Sequence, residues 1–558
     1  MNIFDKFLIE IKILVKKNKN SLKINELNDF KNIVVENPPI EFDYHLSTNI
    51  CLILGKLNQI NPKILAEEVK NLLLKEIKSF KEVEVAGPGF LNIKLSNETI
   101  RSLLFDILKR KKSYGSSGQN KSFNVEFVSA NPTGPMHVGH CRGAIYGDVL
   151  SNLLKFNGNK VVKEYYINDY GNQINNFTKS VFLRMREIKF NEKFVNTKDL
   201  YPGDYIIDIA KKIILENVKI NYENYEESFD ILSKESLKHS MNLIKSDLLK
   251  LGIHHDHFFS ERELVNQNLV QKAVDLLTKR KFVEEGYLNP PKGEETKNWK
   301  KIKRLVFKSS IYGDDTDRAL QKNDGSWTYF ANDVAYHLDK VSRKFDNLVN
   351  ILGADHTGYI KRITAAVSAL SENKTKLDCR VCQLVKLYKN GKPFKMSKRS
   401  GDFISASELL NEVDKDSIRF MMLNRSNDVE LDFDFDKVLE KSKDNPVFYV
   451  QYCYARINSL FNSLKLNLND PIENNNNNFK LNDYETKIIR KIFNWPKIVD
   501  ASVKKYEPHR IPFYLYELAT LFHSYWSRGN EKDEYKFIIK GKPNNLNTLI
   551  VIQLLATV

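Results

Sequence analysis

The pattern of apolar and polar positions divides the chain into three stretches. The N-terminal MNIFDKFLIEIKILVKKNKN repeats apolar residues at helical spacing with acids and lysines between them, which predicts an amphipathic helix. A second helix is predicted from about Pro62 to Ile77. In VEVAGPGFLNIKLS, Pro88 and Gly89 punctuate two short apolar runs that read as strands. A helix from about Glu98 to Lys111 closes an α+β unit of residues 1–112, and Tyr114–Lys121 has the composition of a linker. Asn124–Val128 then reads as a short buried strand, SANPTGPM as a turn-rich loop, and His137–Phe156 as a helix with Val138, Ile145, Val149 and Leu153 along one face. Gly158 stops that helix, and Lys160–Ile167 is strand-like again. Strand, helix and strand of these lengths predict a βαβ unit and a parallel sheet. Residues 177–325 are Lys/Glu-rich and read as helical insertions, after which strand character returns at Asn347–Leu352 and Gln383–Tyr388. These residues, 122–410, form the second unit. From about Asp414 the chain reads as wholly helical, so 411–558 is expected to be an all-α bundle, interrupted by the polyasparagine run Asn474–Asn478.

Composition narrows the function classes. Of 558 residues, 42% are hydrophobic and 28% charged, which excludes a disordered chain, a fibre and a small disulfide scaffold. The 86 basic residues exceed the 70 acidic ones by 16, which invites a polyanionic partner. Five cysteines, an odd number, argue for a reducing compartment, and the N-terminus has no secretory signal, so a cytoplasmic protein is expected. No apolar run approaches the roughly 18 residues needed to span a membrane.

Two segments carry chemistry. His137-Val-Gly-His140 follows a strand and a loop and opens a helix, so both imidazoles project from one face of the first turn, where unsatisfied N–H groups and the helix dipole make an anion site. Gly139 leaves room for a flat ring or ribose. Gly391–Gly401, GKPFKMSKRSG, sets cations close together between glycines, which suits a triphosphate, and no Walker loop is present. The lone Cys379-Arg-Val-Cys382 has no second pair to complete a zinc site, the adjacent residues of His254-His255-Asp256-His257 cannot all face one ion, and no protein metal site is assigned. Phe522, Tyr525 and Trp526 have the spacing of bundle core.

The HxGH and KMSK segments together resemble the HIGH and KMSKS motifs of class I aminoacyl-tRNA synthetases. Within that class, EFVSANPTGPMHVGH (Glu126–His140), YINDYGN (Tyr166–Asn172), GADH (Gly353–His356) and KMSKRSG (Lys395–Gly401) resemble the arginyl-tRNA synthetases. VAGPGFLNIKLS and NPVFYVQY (Asn445–Tyr452) extend the resemblance to the N-terminal and C-terminal domains of that family. It implies a Rossmann-like catalytic domain over 122–410, an N-terminal domain touching the outer corner of tRNA and a C-terminal anticodon-binding domain. It also implies ATP as substrate with Mg2+, L-arginine, arginine tRNA, activation that requires tRNA, and a monomer. His137 and His140 would hold the ATP phosphates, with Lys395 and Lys398 closing over the β- and γ-phosphates and Met396 and Ser397 between them. Gly139, Gly353, Asp355 and His356 would lie at the nucleotide, Glu126, Asp333 and Tyr329 at the guanidinium, and Ser129 and Asn131 at the α-amino and carboxylate groups. Phe90 and Asn92 would touch tRNA. Without the motifs, Glu126 and Asp333 read as a structural ion pair or cap. The chain stops inside the apolar run Leu549–Val558, where family members usually continue, so either a truncated sequence or an anticodon domain without its final segment is expected. Two other readings fit parts of the chain. A small-molecule nucleotidyltransferase leaves the flanking domains unexplained, and a non-catalytic RNA-binding paralogue predicts a damaged HxGH or KMSK motif, whereas both are intact.

Overall fold

The computed structural model describes residues 2–27, 31–39, 41–288, 302–394, 404–467 and 479–557. The chain forms two compact units, one of Gly118–Glu440 with Tyr506–His509, the other of Met1–Ser117, Lys441–Lys505 and Arg510–Val558. Residues 411–440, read from sequence as the start of the helical bundle, belong to the first of these.

That unit is built on five parallel strands ordered Lys376–Cys382, Asn347–Gly353, Ser122–Glu126, Lys160–Ile167 and His257–Ser260. The chain starts in the central strand, moves outward to one edge and returns to build the other side. A crevice therefore opens between Ser122–Glu126 and Asn347–Gly353, where the winding reverses and where such sheets place ligands, beyond the carboxyl ends of the strands. The central strand is sealed on both faces, with Val125 and Asn124 fully buried, as a parallel sheet requires. It ends at Glu126 rather than Val128, because Val128 and Ser129 take φ of 74° and 42°, a conformation that stops pairing.

Two expectations are corrected. The 177–325 stretch does contain helices, Asn172–Phe190, Asp204–Leu215 and Tyr225–Lys250, which bury their own core of Phe177, Val181, Met185, Ile206 and Ile213. It also supplies the edge strand His257–Ser260 and an antiparallel sheet of Val283–Gly286, Arg304–Phe307 and Arg318–Ala319. Strands of two to four residues are too short to show a period against charged flanks. The wholly helical reading beyond Asp414 fails at Leu431–Asp434, a strand pairing parallel to Val385–Lys389. Leu431 and Phe433 are buried there and Asp432 is exposed, a period-two pattern hidden between two helices. Ile538–Ile539 and Lys542–Pro543 form a second small exception. The polyasparagine run lies outside the described residues.

A buried ion pair ties the helix Tyr329–Ser342 and Arg343 to the sheet. Glu164, with no exposed side-chain surface, accepts from Arg343 Nη1 and Nη2 at 2.6 and 2.9 Å, from the Tyr336 hydroxyl at 2.7 Å and from Asn124 Nδ2 at 2.6 Å. Burial works against its charge, but the Arg343 hydrogen bonds and the Lys340 and Arg343 charges outweigh burial and hold its pKa at about 2. Arg343→Met is expected to cost about 3 kcal/mol, read as a lower urea midpoint, because it strands a carboxylate in the interior. Glu164→Gln in that background should recover part of the loss, and an unchanged midpoint in Arg343→Met would refute the account.

The other unit has one hydrophobic core made from both ends of the chain. Phe7, Ile11, Leu54, Val69, Ile93 and Leu104 share it with Ile488, Ile492, Phe522, Tyr525, Ile550 and Leu554. Phe522 and Tyr525 are thus core, as their spacing predicts. Buried polar bonds stitch early to late residues: Arg490 donates to the carbonyls of Pro38 and Phe42, Tyr114 Oη to that of Ile492, and Trp495 Nε1 to that of Tyr114.

Candidate functional site

At the carboxyl end of the central strand, Val138–Phe156 begins with His137 as its N-cap. The side chain of His137 accepts from the backbone of His140, and His140 Nδ1 accepts from the N–H of His137 at 3.3 Å, a capping box made of two histidines. The rings stack, centroids 3.6 Å apart at 30°. The spacing argument placed them on one face; the reciprocal cap is beyond it. It also fixes chemistry, because His140 Nδ1 accepts and its Nε2 must then carry the proton of a neutral ring. Burial, and next the neighbouring His137, push His140 down to about 3, and burial lowers His137. Both are neutral N–H donors at pH 7. The space at Gly139 is taken by a ring, but that of His137: a Cβ there would lie 2.9 Å from the imidazole. Farther along, a Cβ on Gly147 would lie 2.3 Å from Phe127, so only glycine lets this helix seat against the strand end.

Glu126 ends the strand and forms a buried ion pair with Lys340, whose side chain is fully buried and also donates to Asn350 Oδ1 at 3.0 Å. Glu126 is thereby the structural ion-pair partner that its sequence context allowed. Ser129 is held in its left-handed turn by donating to Glu126 Oε1 at 3.2 Å and accepting from the Tyr166 N–H at 3.1 Å. Such a turn in non-glycine residues is strained and persists only when its surroundings hold it. Asn131 is exposed and joins Asn168 and Gln173, donating to Gln173 Oε1 at 2.8 Å.

Asp333 lies in the second turn of Tyr329–Ser342 and accepts from the Tyr359 hydroxyl. Among the described residues no cation lies within ion-pair distance of it, although the Lys340 charge acts on it. Burial, opposed by Tyr359, aided by the Glu126 charge and opposed by that of Lys340, raises its pKa to about 6. Glu261, which follows the edge strand and is 7% exposed, is raised to about 7 by burial and then by the Asp333 charge. Asp169 adds to the negative field and is itself held by Ser260 Oγ at 2.6 Å. Sequence reasoning missed Glu261, Tyr359 and Lys340. Glu261 and Lys340 sit among many ordinary glutamates and lysines, and only the three-dimensional placement of the edge strand brings Glu261 near Asp333. Tyr329, one turn before Asp333, is 82% exposed and outside this buried group, its ring 5.8 Å from the Lys322 ammonium.

Across the crevice Gly353 ends its strand, and Asp355 and His356 follow in an exposed turn, 3.4 Å apart. Lys395, Met396, Ser397 and Lys398 lie outside the described residues. In the other unit Phe90 is 36% exposed and Asn92 is 4% exposed. Cys379 and Cys382 are free thiols on the edge strand. Among the described residues no helix is long and apolar enough to cross a membrane.

Comparison with known proteins agrees with this geometry. The family model for the class I (R) tRNA synthetase catalytic domain matches residues 103–459, that for the DALR anticodon binding domain 450–556, and that for the arginyl tRNA synthetase N terminal domain 10–95. An arginine–tRNA ligase of Pelagibacter ubique is 51% identical over all of this chain and 97% of its own length, and that of Bartonella bacilliformis 45% identical over 98% and 94%. The arginyl-tRNA synthetase structure from Thermus thermophilus superposes with a TM-score of 0.70, covering 100% of this chain and 98% of that one, and at 19% identity it attests the fold. The three domain matches in their order, the reversed-winding parallel sheet and the paired histidines place the chain in the arginyl-tRNA synthetase family of class I tRNA synthetases.

Proposed function

We propose that this chain activates arginine with ATP, releasing pyrophosphate, and transfers the arginyl group from the adenylate to the terminal ribose of its cognate tRNA. The observation that carries the substrate assignment is the pair of carboxylates, Asp333 and Glu261, that among the described residues form no ion pair and are both raised by burial above the ordinary carboxylate range. A planar cation with five donors is the complement of such a pair, and arginine supplies it. Glu126, paired with Lys340, shapes the pocket, and its charge adds to burial in raising the Asp333 pKa; Tyr329 meets the substrate at the open end of the same helix face. Ser129 and Asn131 orient the α-amino and carboxylate groups.

His137 and His140 donate N–H bonds to the ATP phosphates, and Lys395 and Lys398, with Met396 and Ser397 between them, close over the β and γ positions. Gly139, Gly353, Asp355 and His356 serve the ribose and adenine. ATP arrives as its magnesium complex. The helices of Lys441–Val558 read the anticodon and Phe90 meets the outer corner of the tRNA. We place the enzyme in the cytoplasm as a monomer. Arginine-dependent ATP–pyrophosphate exchange, with arginine tRNA added or omitted and lysine as control, tests the reading. Exchange should require arginine and tRNA. Equal exchange with lysine, or none with arginine and tRNA together, would sink it.

The raised carboxylates give the pH dependence a definite sign. The free pocket holds protons up to about pH 6 at Asp333 and about 7 at Glu261. A bound guanidinium favours the charged carboxylates, so binding releases protons. Arginine affinity is expected to rise with pH through this window, level off above it, and fall about tenfold per unit below pH 6 for each proton released. Titration calorimetry at pH 6.5 in two buffers of different ionisation enthalpy reads the proton count directly; no proton release would refute the assignment.

A further inference from the structure

The HxGH segment and residues 404–407 meet at a residue that the mechanism above does not use. Asp247, on the helix Tyr225–Lys250, is 3% exposed. Its Oδ2 accepts from the Met136 N–H at 3.3 Å, and its Oδ1 from the Ser407 hydroxyl at 2.6 Å. Met136 immediately precedes His137. Ser407 lies in Ala406–Glu412, the helix that follows the lysine-bearing stretch in sequence. The same two segments bridge directly. Val138 N–H donates to the Ile404 carbonyl at 2.9 Å and Ala406 N–H to that of Met136 at 2.7 Å, around an antiparallel His137–Ser405 pair. Ser405 and Glu408 close a capping box on the far side. Lys250 donates to Ser407 Oγ at 3.1 Å. Burial raises the Asp247 pKa, with Ser407, Lys250 and the Met136 N–H opposing. A buried carboxylate that spends one oxygen on each segment makes a joint from which neither can shift alone.

We propose that Asp247 is a positioning residue that fixes the HxGH segment to residues 404–407, and so sets where the imidazoles stand relative to the point at which the lysine-bearing stretch ends. This rests on the activation reaction proposed above. Its effect falls on the transition state for adenylate formation, since it touches no arginine-pocket residue.

The test is steady-state pyrophosphate exchange with arginine tRNA present, on the full chain, for wild type, D247A, D247N, S407A and D247A/S407A, with unfolding temperatures alongside. D247A should lower kcat about 30-fold, within the roughly 10²-fold that an ångström-scale misplacement costs, with arginine KM unchanged within about twofold. D247N, which keeps one acceptor, should be intermediate. S407A should lose about fivefold without loss of unfolding temperature, and nothing further once Asp247 is gone. Unchanged kcat in D247A, losses that add in the double variant, or kcat and arginine KM moving together with unfolding temperature would each overturn the inference. Exchange by the wild type separates this from the parent reading, because a wild-type chain that does not exchange overturns both.

Discussion

Asp333→Asn is expected to lower kcat/KM for arginine in pyrophosphate exchange by about 10³-fold while leaving the unfolding temperature unchanged or raised. Removing one charged partner from a buried, hydrogen-bonded ion pair costs about 3–5 kcal/mol, and about 1.4 kcal/mol is tenfold. In the free enzyme the accounting runs the other way. Asp333 is held at about 6, above its unfolded value, by burial, with the Glu126 charge adding to it. A carboxyl whose folded pKa is raised withdraws stability as pH rises through that value, so above pH 6 the wild type bears a penalty that asparagine lacks. The Tyr359 hydroxyl still has an oxygen to donate to. Loss of arginine turnover without loss of stability therefore separates a substrate-binding acid from a structural one. If activity and unfolding temperature fell together, Asp333 would be a packing residue and the pocket would have to lie elsewhere.

His140→Ala is expected to lower kcat by about 10²-fold, the usual consequence of removing one donor aimed at developing transition-state charge, with the KM for ATP nearly unchanged. The substitution also removes the acceptor for the His137 N–H, worth about 1 kcal/mol of helix stability. His140→Gln separates the two effects, because glutamine at this position keeps the cap and offers an amide N–H on a more flexible side chain in place of the imidazole donor. It should restore the unfolding temperature fully and kcat in part. Full restoration of kcat by glutamine would mean that an amide N–H serves the phosphates as well as the imidazole does, and that the ring itself is not required. Because His140 stays neutral down to about pH 3, no rise in activity from imidazolium formation should appear between pH 8 and 6.

What the sequence conveyed and what it withheld follow from the range of each interaction. His137 and His140 were legible because strand, loop and helix signals within about thirty residues place them at a helix start. The same periodicity carried most of the catalytic unit's central strands and the Phe522–Tyr525 core face. Glu261 and Lys340 were not legible. Each acquires its role from residues remote in the chain, Lys340 from Glu126 and Glu261 from Asp333, and nothing local distinguishes them. Leu431–Asp434 was lost for another reason, since four residues of strand between helices carry too little pattern, although the alternation is there. Nor does the sequence distinguish Glu126 from Asp333, although the same Lys340 forms an ion pair with Glu126 and acts on Asp333 only through its charge.

The shared core of the first and last segments sets a timetable for synthesis. Residues 1–117 leave the ribosome well before Arg490, Trp495 and the apolar residues Ile488 to Leu554 that close over them. At the usual 5–20 residues per second, roughly 20–90 s separate the two. For that interval the nascent N-terminal segment carries apolar surface with its eventual cover still untranslated, while the parallel sheet between them is threaded out and folds. The unit that holds both segments is therefore completed only once residues 488–554 have been translated. A ribosome stalled between codons 440 and 488 yields a chain whose catalytic sheet is whole and whose N-terminal segment is still uncovered, a natural client for chaperones and proteases.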